Sequence, residues 1–317
     1  MASVLSAPHF HNEEAAFQYV EAHLWPQGPV CPHCKASGDK IGKLTGETTR
    51  AGLRKCYACR KPFTVRHGSI FEDSHLPLRL WLQAIHLLCS SKKGISTRQL
   101  QRTLGVGMKT AWFLGHRIRE AMNKAGDVDG QPPAPLGGKG VTIEGDATYV
   151  GRKPGTKVKK GSAHMNQVFA LVERNGQARS FHVPDVTAMT LYAVMERHAA
   201  KESHFRTDEA PVFKPVGKRF ASHESVQHNI NEYVRGDAHT NTIEGFFSIL
   251  KRGVYGVYQH VSEAHLGRYL SEFDFRYNTR EKVGIDDVAR ASLALKGAKG
   301  KRLTYETTRS ERRAGAR

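Results

Sequence analysis

The 317-residue chain contains no apolar run near the ~18 residues that a membrane-spanning helix requires. Its opening stretch, MASVLSAPHFHNEE, has neither the basic start nor the apolar middle of a secretory signal. Both absences point to a cytoplasmic chain whose thiols stay reduced, so its five cysteines are not expected to form disulfides. Negative charge is in short supply. Against 30 Asp plus Glu stand 48 Lys plus Arg, leaving +18, spread along the chain and not confined to one tail. Such an excess implies a polyanionic partner, because neutralising phosphates drives affinity for nucleic acid. No internal repeat is visible, and no Ser-His-Asp arrangement stands among the motifs.

What is present suffices for about two domains of usual size, and 39% hydrophobic residues can build a core. Asn12, Glu13 and Glu14 read as the cap and first turn of a helix that stops before Pro26. CPHC at Cys31 and Cys34 is followed, after twenty-one residues, by CYAC at Cys56 and Cys59. Four thiolates from two tight turns make a closed tetrahedral set, so residues 12–70 are expected to form a zinc ribbon holding one structural Zn²⁺. Residues 71–124 read as helical. Within them STRQLQRTLGVGMKTAWFLGHRIREAM has the shape of a helix-turn-helix, placing Lys109, Arg117 and Arg119 on or near a second, DNA-facing helix. A plain helical hairpin is the alternative for this stretch. Residues 125–140 are rich in Gly and Pro and read as a linker. Residues 281–317 become small, polar and basic and are expected to form a loosely ordered tail.

Between linker and tail, residues 141–280, the pattern is mixed. VTIEGDATYVG, QVFALVERNG, ARSFHV and SHFRTDEA read as strands, the second ending at a turn around Asn175-Gly176. TAMTLYAVMERHAA, TNTIEGFFSILKR and EAHLGRYLSEFDFRYNTR read as helices. The fold class is therefore multidomain α+β. On the TNTIEGFFSILKR helix, Ile243, Phe246, Phe247 and Leu250 form an apolar stripe, with Glu244, Ser248 and Lys251 along its edge. Glu244 and Lys251, seven residues apart, point the same way. Alone this is a helix with a wet rim. Two further acids change that reading: Asp146, mid-strand and sharing a face with Glu144 and Thr148, and Asp208, at a strand end. The loop GRKPGTKVKKG adds Arg152, Lys153, Lys157, Lys159 and Lys160, which read either as a clamp on a DNA backbone or as a solvated hairpin tip.

An Asp…Asp-x35-Glu set with Lys seven residues after the Glu resembles the DDE transposases. The blocks CPHC…CYAC, IEGDATYVGRK, TDEA, HTNTIEGFFSILKRG and LGRYLSEFDFRYN resemble, more closely, the ISXO2-like transposases of the IS1595 family of bacterial insertion sequences, over nearly all of residues 12–280. Ala147 stands where members carry a second acid after the first catalytic Asp. The resemblance implies an RNase H-like catalytic domain in which Asp146, Asp208 and Glu244 hold two Mg²⁺ (or Mn²⁺) ions, activating the attacking oxygen and stabilising the leaving one. It implies that Lys251, with the adjacent Arg252, contacts DNA near the cut. His223, His228, His239 and Asn241 match the family pattern, fixing the loop or touching DNA in preference to ligating metal. The partner is double-stranded DNA, at element ends and target, with a homo-oligomer assembling on it in a bacterial cytoplasm at the nucleoid. Two rivals remain. One is an RNase H-like nuclease that cuts without joining; the other is a zinc-ribbon and helix-turn-helix regulator with an inert C-terminal domain.

Overall fold

A central strand hydrogen-bonded on both sides organises the larger part of the chain. The computed structural model describes residues 3–123, 133–158, 160–227, 232 and 234–304. These fall into two units: one built from 3–85, 113–121 and 292–304, the other from 86–112, 122–123, 133–158, 160–227, 232 and 234–291.

In the first unit, α1 (Glu13–Leu24) is capped by Asn12, whose Oδ1 accepts the Ala15 N–H at 3.0 Å. Three short antiparallel strands follow in the order β1 (Ile41–Lys43), β2 (Arg54–Cys56), β3 (Pro62–Phe63). Too small to bury much surface, this sheet packs Cys31, Cys56 and Phe63 together, with Trp25 edge-on to Phe63. Arg54 ties β2 to α1 through a two-pronged pair with Glu21, at 3.1 and 2.6 Å. Helix α2 (Leu78–Ser90) begins in this unit. In the second unit, helix α3 (Thr97–Leu104), capped by Ser96, stops at Gly105, whose φ of 64° is left-handed; α4 (Met108–Met122), shared between the units, starts three residues later.

The second unit is mixed α/β. Its sheet has five strands in the order β6-β5-β4-β7-β8. β4 (Thr142–Val150), β5 (Asn166–Glu173) and β6 (Ala178–Val183) are antiparallel, while β7 (His204–Thr207) and β8 (Ser222–Ser225) run parallel to β4. The turn from β5 to β6 places Asn175 at φ 59°, a left-handed position that asparagine tolerates. Along β5, alternation divides the core. Val168, Ala170 and Val172 pack under α7 (Asn241–Gly253) and α8 (Glu263–Asn278); Phe169 and Leu171 pack under α5 (Ala188–His198) and α6 (Phe213–Gly217). Both faces are covered, which explains why β5 reads as a near-continuous apolar run.

Three features depart from the sequence reading. Residues 281–304 are not a loose tail. They contain α9 (Asp287–Lys296), started by Asp286, whose Oδ1 accepts the Ala289 N–H at 2.7 Å. Its small apolar residues Ala294 and Leu295 are buried, and the polar composition around them hid a short helix. The end of the expected linker is structural too: Leu136 is buried in the second unit and exchanges backbone hydrogen bonds with His198 and Ala200, each at 2.7 Å. The remainder of that linker, 125–132, lies outside the described residues. Finally, α6 and β8 were not anticipated; β8 is the four-residue edge strand SHES, with no apolar residue to mark it.

Gly145, on β4, lies against the Phe205 ring of β7. A Cβ there would lie 2.6 Å from the Phe205 ring, within the core under α5 and α6. Gly145→Ala is therefore expected to lower unfolding stability by about 1–3 kcal/mol, the usual cost of overpacking a filled core, as read by urea denaturation. An unchanged midpoint would show that Phe205 has room to move.

Candidate active site

β4 carries Asp146 at its middle, opposite Ala170 of β5, and so on the sheet face covered by α7 and α8. The parallel register with β7 matches Ile143 to Phe205 and Glu144 to Arg206. Carried two residues further, it sets Asp208 level with Asp146, just past the end of β7. Asp208 is half-buried, and its Oδ1 accepts the Ala210 N–H at 3.1 Å, which fixes the turn. Glu244 lies in the first turn of α7 and accepts from Thr240 Oγ1 at 3.1 Å. The α7 stripe is as read from the sequence: Ile243, Phe246, Phe247 and Leu250 are buried, while Glu244 and Lys251 are exposed along the edge.

Electrostatics joins these residues into one site. Burial pushes the Asp146 carboxyl up, and the charges of Asp208 and Glu244 push it further. The Ala147 N–H, 2.6 Å from Asp146 Oδ1, and the Lys251 ammonium pull it down, leaving it at about 7. Three carboxylates crowding a half-buried strand face repel one another, and such a set favours a cation of high charge. Among the described residues, the four cysteines are a set whose ligand atoms all lie within 4.8 Å of one another.

The sequence singled out Asp146 and left its neighbour Glu144 without a role. Glu144 is fully buried on the same strand face. It accepts from the backbone N–H groups of Thr242 and Ile243, at 2.9 and 3.0 Å, from Thr242 Oγ1 at 2.9 Å and from Arg174 Nε at 2.7 Å. His239 Nδ1 lies 3.2 Å from its Oε1. The alternation that put Glu144 beside Asp146 was the available signal; its partners, all distant in sequence, were not readable.

The cysteines converge as their spacing implied. Cys31 and Cys59 Sγ are 3.7 Å apart and Cys34 and Cys56 Sγ are 3.6 Å apart. A zinc ion at ~2.3 Å from each of four thiolates sets its corners about 3.8 Å apart, so the four sulfurs fit a structural zinc site. Burial alone pushes the Cys31 thiol up, but the backbone N–H groups of Cys34 and His33 bring it down to about 7, favouring the thiolate that a metal needs.

The expected DNA contacts divide. Lys109, Arg152, Lys160 and Arg252 are exposed and Lys153 is half-buried. Arg152 is braced by Thr156 O at 2.7 Å from its Nε, and Arg252 by Ser248 Oγ at 2.7 Å. Arg117 does not belong to this surface. It is buried over the Phe113 ring, and its guanidinium donates to the carbonyls of Ile70, Glu72 and Leu303 at 2.9, 2.7 and 3.1 Å. A basic residue on a helix was read as surface, but long-range carbonyls claim it. Arg119 is buried as well. Of the histidines, His223 Nε2 is 3.0 Å from Thr207 Oγ1, beside Asp208, and His239 borders Glu144. Lys159 and His228 lie outside the described residues, and Asn241 is exposed at the start of α7.

A strand acid, a strand-end acid and a helix acid thus come together in a chain that also carries a four-cysteine ribbon. The chain matches the ISXO2-like transposase domain over residues 135–278 and the transposase zinc-ribbon domain over residues 11–62, together more than half of its length. It belongs to the IS1595 family of insertion-sequence transposases. A protein of Halobacterium salinarum, named as an uncharacterized protein in transposable element ISH50, is similar to it: 25% identical over 295 residues, covering 87% of this chain and 94% of that protein. Membership implies nuclease or transposase activity and DNA as partner. Among the described residues, no helix is long and apolar enough to cross a membrane.

Two predictions arise from this geometry. Cys31→Ser should lower bound zinc, measured by metal analysis of the purified protein, and lower the melting temperature of the first unit; equal zinc content in variant and wild type would remove the site. The second concerns pH. The folded Asp146 pKa lies above its ordinary value, so in metal-free protein its contribution to stability is full below about pH 4 and is lost as pH rises to about 7. Asp146→Asn removes that loss. The metal-free variant should melt higher than wild type at pH 8, with the gap closing as pH falls toward 4. A gap independent of pH would separate Asp146 from the other acids.

Proposed function

We propose that the chain is a DNA transposase that binds the ends of its insertion sequence and carries out divalent-metal-dependent cleavage and strand transfer. The observation that carries this reading is the meeting of Asp146, Asp208 and Glu244 on one sheet face, with Lys251 beside them. The sheet supports an RNase H-like assignment: three antiparallel strands continued by two parallel ones, with helices on both faces.

The donor set suits hard divalent ions such as Mg²⁺ or Mn²⁺, since it is all oxygen and mutually repulsive. Two such ions, when bound, would supply Lewis-acid activation of the attacking oxygen and charge stabilisation of the leaving one. Asp146 faces both Asp208 and Glu244 and is placed to share ions with each. Lys251 offers an ammonium, on the edge that carries Glu244, to a phosphate next to the cut. No protein nucleophile is required, because water or a DNA 3′-hydroxyl attacks. The zinc ribbon, the α3–α4 region with Lys109, and the loop bearing Arg152, Lys153 and Lys160 are each read as a DNA-binding element, with copies of the chain assembling on the DNA. A hydrolytic nuclease using the same acids is the second reading, and joining of a cut 3′ end to target DNA distinguishes the two.

The test uses a labelled element-end duplex with Mg²⁺. Asp146→Asn and Glu244→Gln keep size but remove a charge worth several kcal/mol of transition-state stabilisation through the metal, so cleavage should fall by about three orders of magnitude or more. Gel-shift affinity should stay near wild type, and Glu202→Gln, an exposed acid away from the site, should be silent. Binding should weaken linearly in log salt, by ~0.9 per phosphate neutralised. Near-normal cleavage by Glu244→Gln would return α7 to a plain packing helix.

A further inference from the structure

The N-terminus of α7 lacks a cap from its own segment: Thr240 occupies the N-cap position and makes no side-chain capping bond. The first N–H groups of a helix need acceptors when buried. Here a strand supplies them. Glu144 Oε2 takes the N–H groups of Thr242 and Ile243, at 2.9 and 3.0 Å, while Oε1 takes Thr242 Oγ1 at 2.9 Å and Arg174 Nε at 2.7 Å. Arg174 extends the arrangement. Its Nη1 donates to Asp237 Oδ1 at 2.6 Å and its Nη2 to the His239 carbonyl at 3.0 Å, so the segment leading into α7 is held by the same guanidinium.

We propose that Glu144 is the positioning residue of the active site, setting the separation of Glu244 from Asp146 by clamping the first turn of α7 to β4. This rests on the reading of Asp146 and Glu244 as metal-holding acids. Glu144 stands two residues before Asp146 on the same strand face, and its partner Thr242 stands two residues before Glu244. One carboxylate thus joins the two backbones at points two residues ahead of each acid. Glu144 is not itself a metal ligand. A carboxylate has about four acceptor sites, and four donors occupy them at full burial. A helix held by its apolar stripe alone can slide or tilt on the sheet. A charge-assisted cap at its first turn removes that freedom where the site needs it least.

Glu144→Gln in the full-length protein tests this. The amide keeps the shape but turns an NH₂ toward donors that need an acceptor, so the first turn of α7 must shift. Mn²⁺ affinity, read from the EPR signal of free Mn²⁺, and the cleavage rate at saturating DNA should both fall by about 10–100-fold, as for residues that orient metal ligands. Gel-shift affinity for the element end should remain within about twofold, because the basic surface is untouched. A purely structural role predicts a lower melting temperature with Mn²⁺ affinity and rate unchanged below it; that result overturns the proposal. If Glu144→Gln does not fold, Thr242→Val, which deletes a single donor to Glu144, should still weaken Mn²⁺ binding, and Thr242→Ser, which keeps the hydroxyl, should lose less. Equal loss in both, or in neither, overturns it. Asp146→Asn separates this inference from the reading beneath it. Loss of Mn²⁺ binding in Asp146→Asn with none in Glu144→Gln defeats the inference alone, whereas Mn²⁺ binding indifferent to Asp146→Asn defeats both.

Discussion

The parallel ladder between β4 and β7 is the contact on which the candidate site depends. It joins Thr142, Ile143 and Glu144 to His204, Phe205 and Arg206, with β5, β6 and α5 lying between them in sequence. Parallel strands cannot be joined by a tight turn; the crossover must run through other structure before the second strand comes alongside. Once made, the pairing leaves little freedom. A slip of one residue would turn Asp208 away from Asp146 and drive Phe205 out of the core beneath Gly145. Register is therefore enforced by packing on one face of the sheet and sets the spacing of the candidate acids on the other.

That division explains how a costly group of charges is tolerated. The face under α5 and α6 is filled by Phe169, Leu171, Phe205 and Phe213 and is apolar throughout. The opposite face is apolar under the middle of α7, at Phe246, Phe247 and Leu250, and polar at its N-terminal end. There Glu144 is neutralised by Arg174, while Asp146 is not paired in this way and stays raised by burial and by its acidic neighbours. Two carboxylates on one strand face, two residues apart, thus have opposite environments: one closed with donors, one buried beside other acids.

Much of this was legible because it is local. The paired C-x-x-C turns, the alternation that puts Asp146 on a defined face, and the stripe on α7 all repeat over a few residues, and each sequence pattern maps onto one element. What stayed hidden depends on long-range partners. Arg117 finds carbonyls at residues 70, 72 and 303; Leu136 is buried by a bridge to Ala199; Glu144 meets residues 174, 239 and 242. A basic helix residue, a residue in a Gly/Pro-rich stretch and a strand acid carry no mark of such partners. β8 escaped for a different reason, since an edge strand needs polar residues and so looks like a loop.

The first unit is closed by the end of the described chain. Ile70 N–H donates to Ala298 O at 3.2 Å, Gly300 N–H to Gly68 O at 2.8 Å, and Ser69 bridges Lys299. Arg302 pairs with Glu72 at 3.9 Å, and Leu303 receives Arg117. On the ribosome, the segment bearing the cysteine pairs emerges early, yet the unit around it lacks these bonds until residues 298–303 have followed, after all three candidate acids. The order of synthesis is thereby the reverse of the order of completion. A chain broken off after α8 would carry every candidate catalytic acid and all four zinc-site cysteines, with its first-made unit left open.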